Sequence, residues 1–235
     1  MADQVKSNVV HPFTPPSLDI PGYVPNTIPI LNILAIYFGL VLVVLVGTVA
    51  LFSKNRNGDK LGIVDRLLMA WFAICGFTHI LLEGTYVILG SSVVWRDDIF
   101  SQIWKEFGKA DSRYMIRHEA LISVEAITAF LEGPACFLIM WMTYRRSPGR
   151  YALEMLVSTG QLYGTILYFL EAYLMGFAHM PYGHPIYFWI YFVGFNFPWI
   201  VIPTSVIIRD YTNFSASQSL RDNSAKSKQV TKKKK

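Results

Sequence analysis

The chain has 235 residues, of which 53% are hydrophobic, 15% aromatic and 16% charged, with a formal net charge of +5. This composition excludes a disordered chain, a collagen and a coiled coil. The placement of the few charges says more than their number.

Residues 1–29 are Pro-rich and nearly neutral, with no basic start and no small-residue cleavage site. The apolar stretch that follows is therefore expected to be retained rather than removed as a leader. After Asp19 the next charge is Lys54, and Ala172 to Ile208 is likewise free of Asp, Glu, Lys and Arg. Either gap can hold a membrane span, which needs roughly 20 mostly apolar residues. Three further stretches reach that length if an occasional Glu or His is tolerated. Five spans are predicted: Ile30–Phe52, Leu67–Leu89, Ala120–Thr143, Tyr151–Gly176 and Ile186–Ile208. Helices apolar on every face belong in a bilayer, which disfavours a soluble bundle.

The expected fold is all-α: a polytopic membrane protein, a bundle of five transmembrane helices over 30–208. A short interfacial helical segment is expected between spans two and three, in the mixed aromatic and charged run Trp104–Tyr114. That loop reads as a structural cover, with a lid as the alternative. The tail, 209–235, is Ser- and Lys-rich without apolar periodicity and is expected to be disordered, its basic residues resting on anionic headgroups. Lys and Arg in the first loop, the third loop and the tail make up 15 of the 21 basic residues, so these segments are expected on the cytoplasmic side. Five basic residues in the second loop oppose that rule. An odd number of spans then sets residues 1–29 on the non-cytoplasmic side. The net +5 belongs to the tail, which holds 8 basic and 2 acidic residues, so it does not imply nucleic acid. The closing Lys232–Lys235 resembles a dilysine address for the endoplasmic reticulum, although a plain solvated tail fits equally well.

All nine Asp lie outside the predicted spans or at their edges, whereas Glu83, Glu125, Glu132, Glu154 and Glu171 lie within them. An ionisable group at membrane depth is costly and is a site candidate by default. Glu154 reads as a helix-end ion pair with Arg150, and Glu171 as reaching interface water. Glu132 precedes Gly133-Pro134, which loosens the helix. His79 and Glu83, at i and i+4, share one helix face. They are either a self-satisfying buried pair or a proton-transfer pair. Glu125, Thr128 and Glu132 form one stripe. A metal would want more ligands at close range than these residues form in any recognised pattern. Cys75 and Cys136 read as core filling. Asn196 and Trp199 share a face beside Pro198 and Pro203, and a mid-span Trp near carboxylates offers a cation–π surface.

Several segments carry a resemblance. They are Trp71–His79 running into Leu82-Glu83-Gly84, Trp104-Lys105-Glu106, Asp111–Tyr114 and Glu125–Ala129. Gly160–Gly164, Gly183-His184-Pro185 with Tyr187-Phe188-Trp189, and Asn196 with Trp199 complete them. In this order, from about His11 to Tyr211, they resemble the emopamil-binding protein family, the sterol Δ8–Δ7 isomerases. The opening His11-Pro12 and Pro21–Pro25 look more like plant members. The resemblance implies a multi-pass endoplasmic reticulum membrane protein with a lumenal N-terminus, a sterol pocket open to the bilayer, and binding of lipophilic amines. A homodimer is compatible with it. It implies essential roles for His79, Glu83, Glu125, Thr128, Asn196 and Trp199; Glu132 and Glu171 look like departures from the commoner pattern, and no role is carried onto them. A non-catalytic sterol- or amine-binding protein of the same fold is the alternative, and an ion or solute channel a weaker one.

The chemistry fits these residue types. An isolated ring alkene cannot enolise, so the route protonates C9, forms a C8 cation and loses a proton from C7. His79, tuned by Glu83, is expected as the donor. Glu125, held by Thr128, is expected as counter-ion, Trp199 as the π face, and Asn196 as the residue that positions Trp199 or a carboxylate. The reaction is redox-neutral and transfers no group, so no nucleotide cofactor and no metal are expected. No Gly-rich phosphate loop is present.

Overall fold

A computed structural model describes residues 10–233, with side chains as far as Ser224. The last two residues of the lysine run, and with them part of the dilysine-like signal, lie outside the described residues, as do residues 1–9. The described residues are all helical apart from loops, turns and one isolated bridge between Lys54 and Lys60. Six helical rods follow in order: α1 (Ile30–Leu51), α2 (Ile63–Val94), α3 (Ile99–Gly108), α4 (Glu119–Tyr144), α5 (Arg150–Leu174) and α6 (Pro185–Ser224).

Among the described residues, four of these rods are long and apolar enough to cross a membrane: α1, α2, α4 and α6. The remaining predicted span, Tyr151–Gly176, is a 25-residue helix, α5, whose apolar character is diluted. Glu154, Ser158, Gln161 and Thr165 recur along it at helical spacing, and all four are buried. Its polar side chains form an inward stripe, while Leu156, Ile166, Leu170 and Leu174 are exposed.

The tail does not lose regular structure. The helix begun at Pro198 runs on to Lys233. No Gly or Pro follows Pro203, so nothing interrupts propagation from an already nucleated helix. Gln218 also donates to Asp222 one turn on, at 3.0 Å.

Three rods contain a wide π-helical turn, at Thr78–Glu83 in α2, Thr128–Glu132 in α4 and Pro185–Gly194 in α6. A π turn accommodates an extra residue and re-aims the side chains around it. The turn in α4 ends at Gly133-Pro134, where the proline withholds the backbone N–H that an α turn would use.

The connection between α2 and α4 is largely buried. Asp98 caps α3 by accepting from Ser101 N at 3.0 Å. Trp104 and Tyr114 stack with ring centroids 4.7 Å apart, over Tyr86. Residues 10–29 are strapped across this layer, with Phe13, Ile20 and Tyr23 in the same apolar cluster. Gln102 Oε1 accepts from Thr27 N and Ile28 N at 3.0 and 2.8 Å. The buried Lys105 ammonium donates to Val24 O and Arg96 O, both at 2.8 Å.

Arg113 locks the loop to α5. It is fully buried and meets Asp111 Oδ2 at 2.6 Å and Glu171 Oε2 at 2.8 Å. It lies 4.7 Å above the Tyr168 ring. Glu171 is therefore held by an arginine rather than reaching water alone. At the opposite end of α5, Glu154 pairs with Arg209 at 3.4 Å, not with Arg150. Arg150 instead donates to Ser147 O and to the Tyr151 hydroxyl. Replacing Arg113 by Leu leaves the Asp111 carboxylate buried and uncompensated, and should cost about 3–5 kcal/mol. Glu171→Gln, at the 29%-exposed end of the cluster, should cost less than half as much. Thermal unfolding of both variants in detergent checks the order.

Candidate functional site

A cavity of about 550 Å³ lies between the rods, lined by residues of α1 through α6. Its volume is within the ordinary range for a ligand pocket, about 300–1,000 Å³. Most of its wall is aliphatic or aromatic. Its polar groups gather where the π turns of α2 and α4 meet.

His79 stands at the centre of this group and is buried. Its Nδ1 meets Glu83 Oε2 at 2.7 Å, so the expected pairing along α2 is made. On the other side of the ring, Nε2 lies 3.2 Å from Gln161 Nε2 of α5. The amide N–H donates there, so the ring proton resides on Nδ1, facing the carboxylate. Both ring nitrogens are thus occupied by protein groups. Thr128 sends its hydroxyl to the same Glu83 Oε2 and also to the Glu125 carbonyl, the latter at 3.0 Å. Thr128 therefore braces Glu83 rather than the Glu125 carboxyl.

Glu125 is held by Tyr114, whose hydroxyl donates to Oε1 at 2.5 Å. The Thr128 hydroxyl, which reaches both Glu83 Oε2 and the Glu125 carbonyl, ties the two carboxyl-bearing residues together at the cavity wall.

Trp199 packs above His79 with ring centroids 6.5 Å apart, and against Trp71 at 5.3 Å. It lines the cavity, as the sequence led one to expect. Asn196 lines the cavity too, but its amide donates to Phe192 O of its own helix at 2.8 Å. It touches neither Trp199 nor a carboxylate through that bond. Instead it satisfies a carbonyl within the π turn of its own helix.

Of the six expected residues, His79, Glu83, Thr128 and Glu125 form one connected set, and Trp199 covers it. Asn196 lies beside the set without bonding to it. Two partners were not singled out in the sequence, Tyr114 and Gln161. Both lie in segments that carry the family resemblance, and neither has a charge to betray it. Glu132 falls outside the cavity wall and packs against α5. A Cβ added at Gly160 would stand 2.2 Å from Glu132 Oε1. Among the described residues, no three His, Cys, Asp or Glu side chains converge at metal-ligand range.

Comparison with known proteins places the chain in a family. A family model described as EBP: EXPERA (EXPanded EBP superfamily) matches residues 99–209, which run from α3 into α6. The chain is 38% identical to the 3-beta-hydroxysteroid-Delta(8),Delta(7)-isomerase of Cavia porcellus, over 91% of this chain and 93% of that protein. It is 40% identical to the probable 3-beta-hydroxysteroid-Delta(8),Delta(7)-isomerase of Oryza sativa subsp. japonica, over 88% and 93%. A protoglabretal synthase of Ailanthus altissima is 31% identical over 90% and 95%. These alignments span nearly all of both chains, including α2 with His79 and Glu83, and the chain belongs to the EBP (EXPERA) family.

Proposed function

We propose that this chain is a sterol Δ8–Δ7 isomerase, which moves a ring double bond by proton addition at C9 and proton removal at C7. One observation carries the reading. In a chain 36–40% identical to proteins named for that reaction, Glu83 and Glu125, on different helices, line one apolar cavity together with His79 and Trp199.

The reaction needs one proton delivered and one recovered, with a carbocation between. The occupied nitrogens of His79 argue against the imidazole as direct donor. The Glu83–Glu125 pair, both members of which line the cavity, suits the task better, with one member protonated in the resting state of the proposed cycle. Transfer of that proton to C9 draws the alkene electrons into the new C–H bond and leaves the cation at C8. The pair, now fully ionised, faces the positive charge, and the Trp199 π face adds to its stabilisation in a site with little water. One carboxylate then takes the C7 proton, the C7–H electrons become the new alkene, and the pair regains its starting proton. No net charge, electron or group is left over. His79 acts as a positioning residue that anchors Glu83, Thr128 braces the same oxygen, and Tyr114 fixes Glu125.

Gln161 completes this arrangement. Its Oε1 is buried without a partner. A half-turn of the amide would present that oxygen to His79 Nε2 and so accept a proton from a doubly protonated ring. The residue thereby serves either charge state of the imidazole without a change of backbone.

The same site suits lipophilic amines, because a protonated amine imitates the cation between Trp199 and the carboxylates. The reading further takes α5 as a fifth span, its polar stripe turned inward and its apolar face outward. The amphipathic α3 lies along the membrane surface, the N-terminus is lumenal, the C-terminus is cytoplasmic, and the membrane is that of the endoplasmic reticulum.

Rescue of a yeast strain lacking its Δ8–Δ7 isomerase tests the function directly. Wild-type protein should restore Δ7 sterols, whereas His79→Ala and Glu125→Gln should not. Failure of well-expressed wild type would defeat the isomerase reading and favour a binding protein. Gln161→Leu should lower kcat roughly tenfold or more, about the worth of one hydrogen bond to a buried polar ring, and shift the pH–rate profile. An unchanged profile would reduce Gln161 to packing. Trp199→Phe should retain part of the turnover that Trp199→Ala loses, and equal losses would remove the cation–π role.

A further inference from the structure

The cavity contains a second polar position that the proton transfers above do not use. On α3, Ile103, Glu106 and Phe107 all line the cavity, at i, i+3 and i+4. Glu106 is 3% exposed. Its Oε2 accepts from Lys109 Nζ at 2.6 Å, and Lys109 lies over the Tyr187 ring at 5.9 Å. Its Oε1 is buried with no hydrogen-bond partner. A buried carboxylate oxygen in that state is costly unless something entering the cavity donates to it. The same cavity wall includes Ile103, Phe107, Leu34 and Tyr191. The matching ligand is a hydroxyl carried on an apolar skeleton.

The position is correctly placed relative to the reacting groups. Phe107 meets Tyr114 edge to face at 5.4 Å, and Tyr114 holds Glu125. Glu106 thus lies in the same helix turn as Phe107, which links through Tyr114 to Glu125, and all of them line one cavity. In a 3-hydroxysteroid the migrating double bond is in ring B and the hydroxyl is on the adjoining ring A. A substrate with ring B against Glu83 and Glu125 must therefore place its hydroxyl one ring away, within the same cavity. Of the other acceptors there, Glu171 is held by Arg113 and has His118 Nδ1 3.6 Å from its second oxygen. Gln161 Oε1 is also unpartnered, but its amide stands against His79, beside the reacting pair rather than one ring away. The Tyr168 hydroxyl is unpartnered too and lies on α5, so labelling distinguishes it from Glu106 on α3.

We propose that Glu106 Oε1 accepts the proton of the substrate 3-hydroxyl, with Lys109 fixing the carboxylate, and so sets which ring reaches the carboxyl pair. This rests on the isomerase reading. A sterol in a bilayer keeps its hydroxyl at the surface and its rings among the acyl chains. With α3 at the surface, substrate enters hydroxyl-outward and need not invert.

The test compares a Δ8 sterol bearing a free 3-hydroxyl with its 3-deoxy analogue, using the full chain in detergent. Wild type should prefer the hydroxy sterol by roughly tenfold or more in kcat/KM, chiefly through KM, as expected for a hydrogen bond to a charged group. Glu106→Ala and Glu106→Leu should convert the two with equal efficiency. In addition, a Δ8 sterol that keeps its free 3-hydroxyl and carries a diazirine at the adjoining C2 should label the 99–108 peptide of the wild-type protein, which decides the matter if neither variant folds. Equal use of both sterols by wild type, a preference that survives in folded variants, or labelling confined to α5 would overturn the proposal. Labelling at 99–108 by a protein that turns over neither sterol would support the hydroxyl site and overturn the isomerase reading instead.

Discussion

A polar side chain on an apolar helix has no water to fall back on, so its partner must come from another part of the protein. His79 meets this constraint most fully. One nitrogen is matched within α2 by Glu83, and the other is matched across the bundle by Gln161 of α5. Glu83 in turn takes the Thr128 hydroxyl from α4, Thr128 also reaches the Glu125 carbonyl, and the Glu125 carboxyl takes the Tyr114 hydroxyl from the connecting loop. Three rods and a loop are therefore held in register by one chain of polar contacts. The apolar packing around it (Trp71, Phe72, Cys75, Cys136 and Val157) fills space without specifying alignment. In this fold the groups that do the chemistry are also those that fix the helices relative to one another.

The π turns explain how so many groups converge. In a regular α-helix only one stripe faces a given neighbour. The wide turns at Thr78–Glu83 and Thr128–Glu132 lie face to face and carry His79, Glu83 and Thr128 between them. An extra residue in the turn brings additional side chains inward and leaves backbone carbonyls poorly matched, a cost that is borne where function requires it. The third, at Pro185–Gly194, precedes the break at Pro198 and so sets the direction from which Trp199 enters.

Legibility in the sequence followed charge. Glu at membrane depth stood out because Asp, Lys and Arg had been excluded from the same stretches, and the His79–Glu83 spacing could be read from helix geometry. The same patterning located the long apolar rods. Tyr114 and Gln161 were not legible in this way. A tyrosine in an aromatic-rich loop and a glutamine on a mixed helix carry no periodic or electrostatic mark, and their importance arises from contacts across 11 and 82 residues of chain. The roles expected of Thr128 and Asn196 were misdirected for a related reason. Spacing shows which face a residue occupies but not which of several nearby acceptors its short side chain will choose. The tail was misread because polarity argues against packing, not against continuation of a helix already under way. Glu154 looked like half of an i−4 pair until the far end of the chain supplied Arg209.

Gly160 lies immediately before Gln161, and Glu132 occupies the space where its side chain would have been. The two positions share a single volume across the α4–α5 crossing. A bulkier residue at 160 is compatible with this crossing only if 132 is shortened, and a shorter residue at 132 opens a void beside the imidazole. Glu132 thus has a steric office even though it stands outside the cavity. It keeps the amide of the neighbouring residue at the correct height against the ring, so the two sites are free to vary only as a pair.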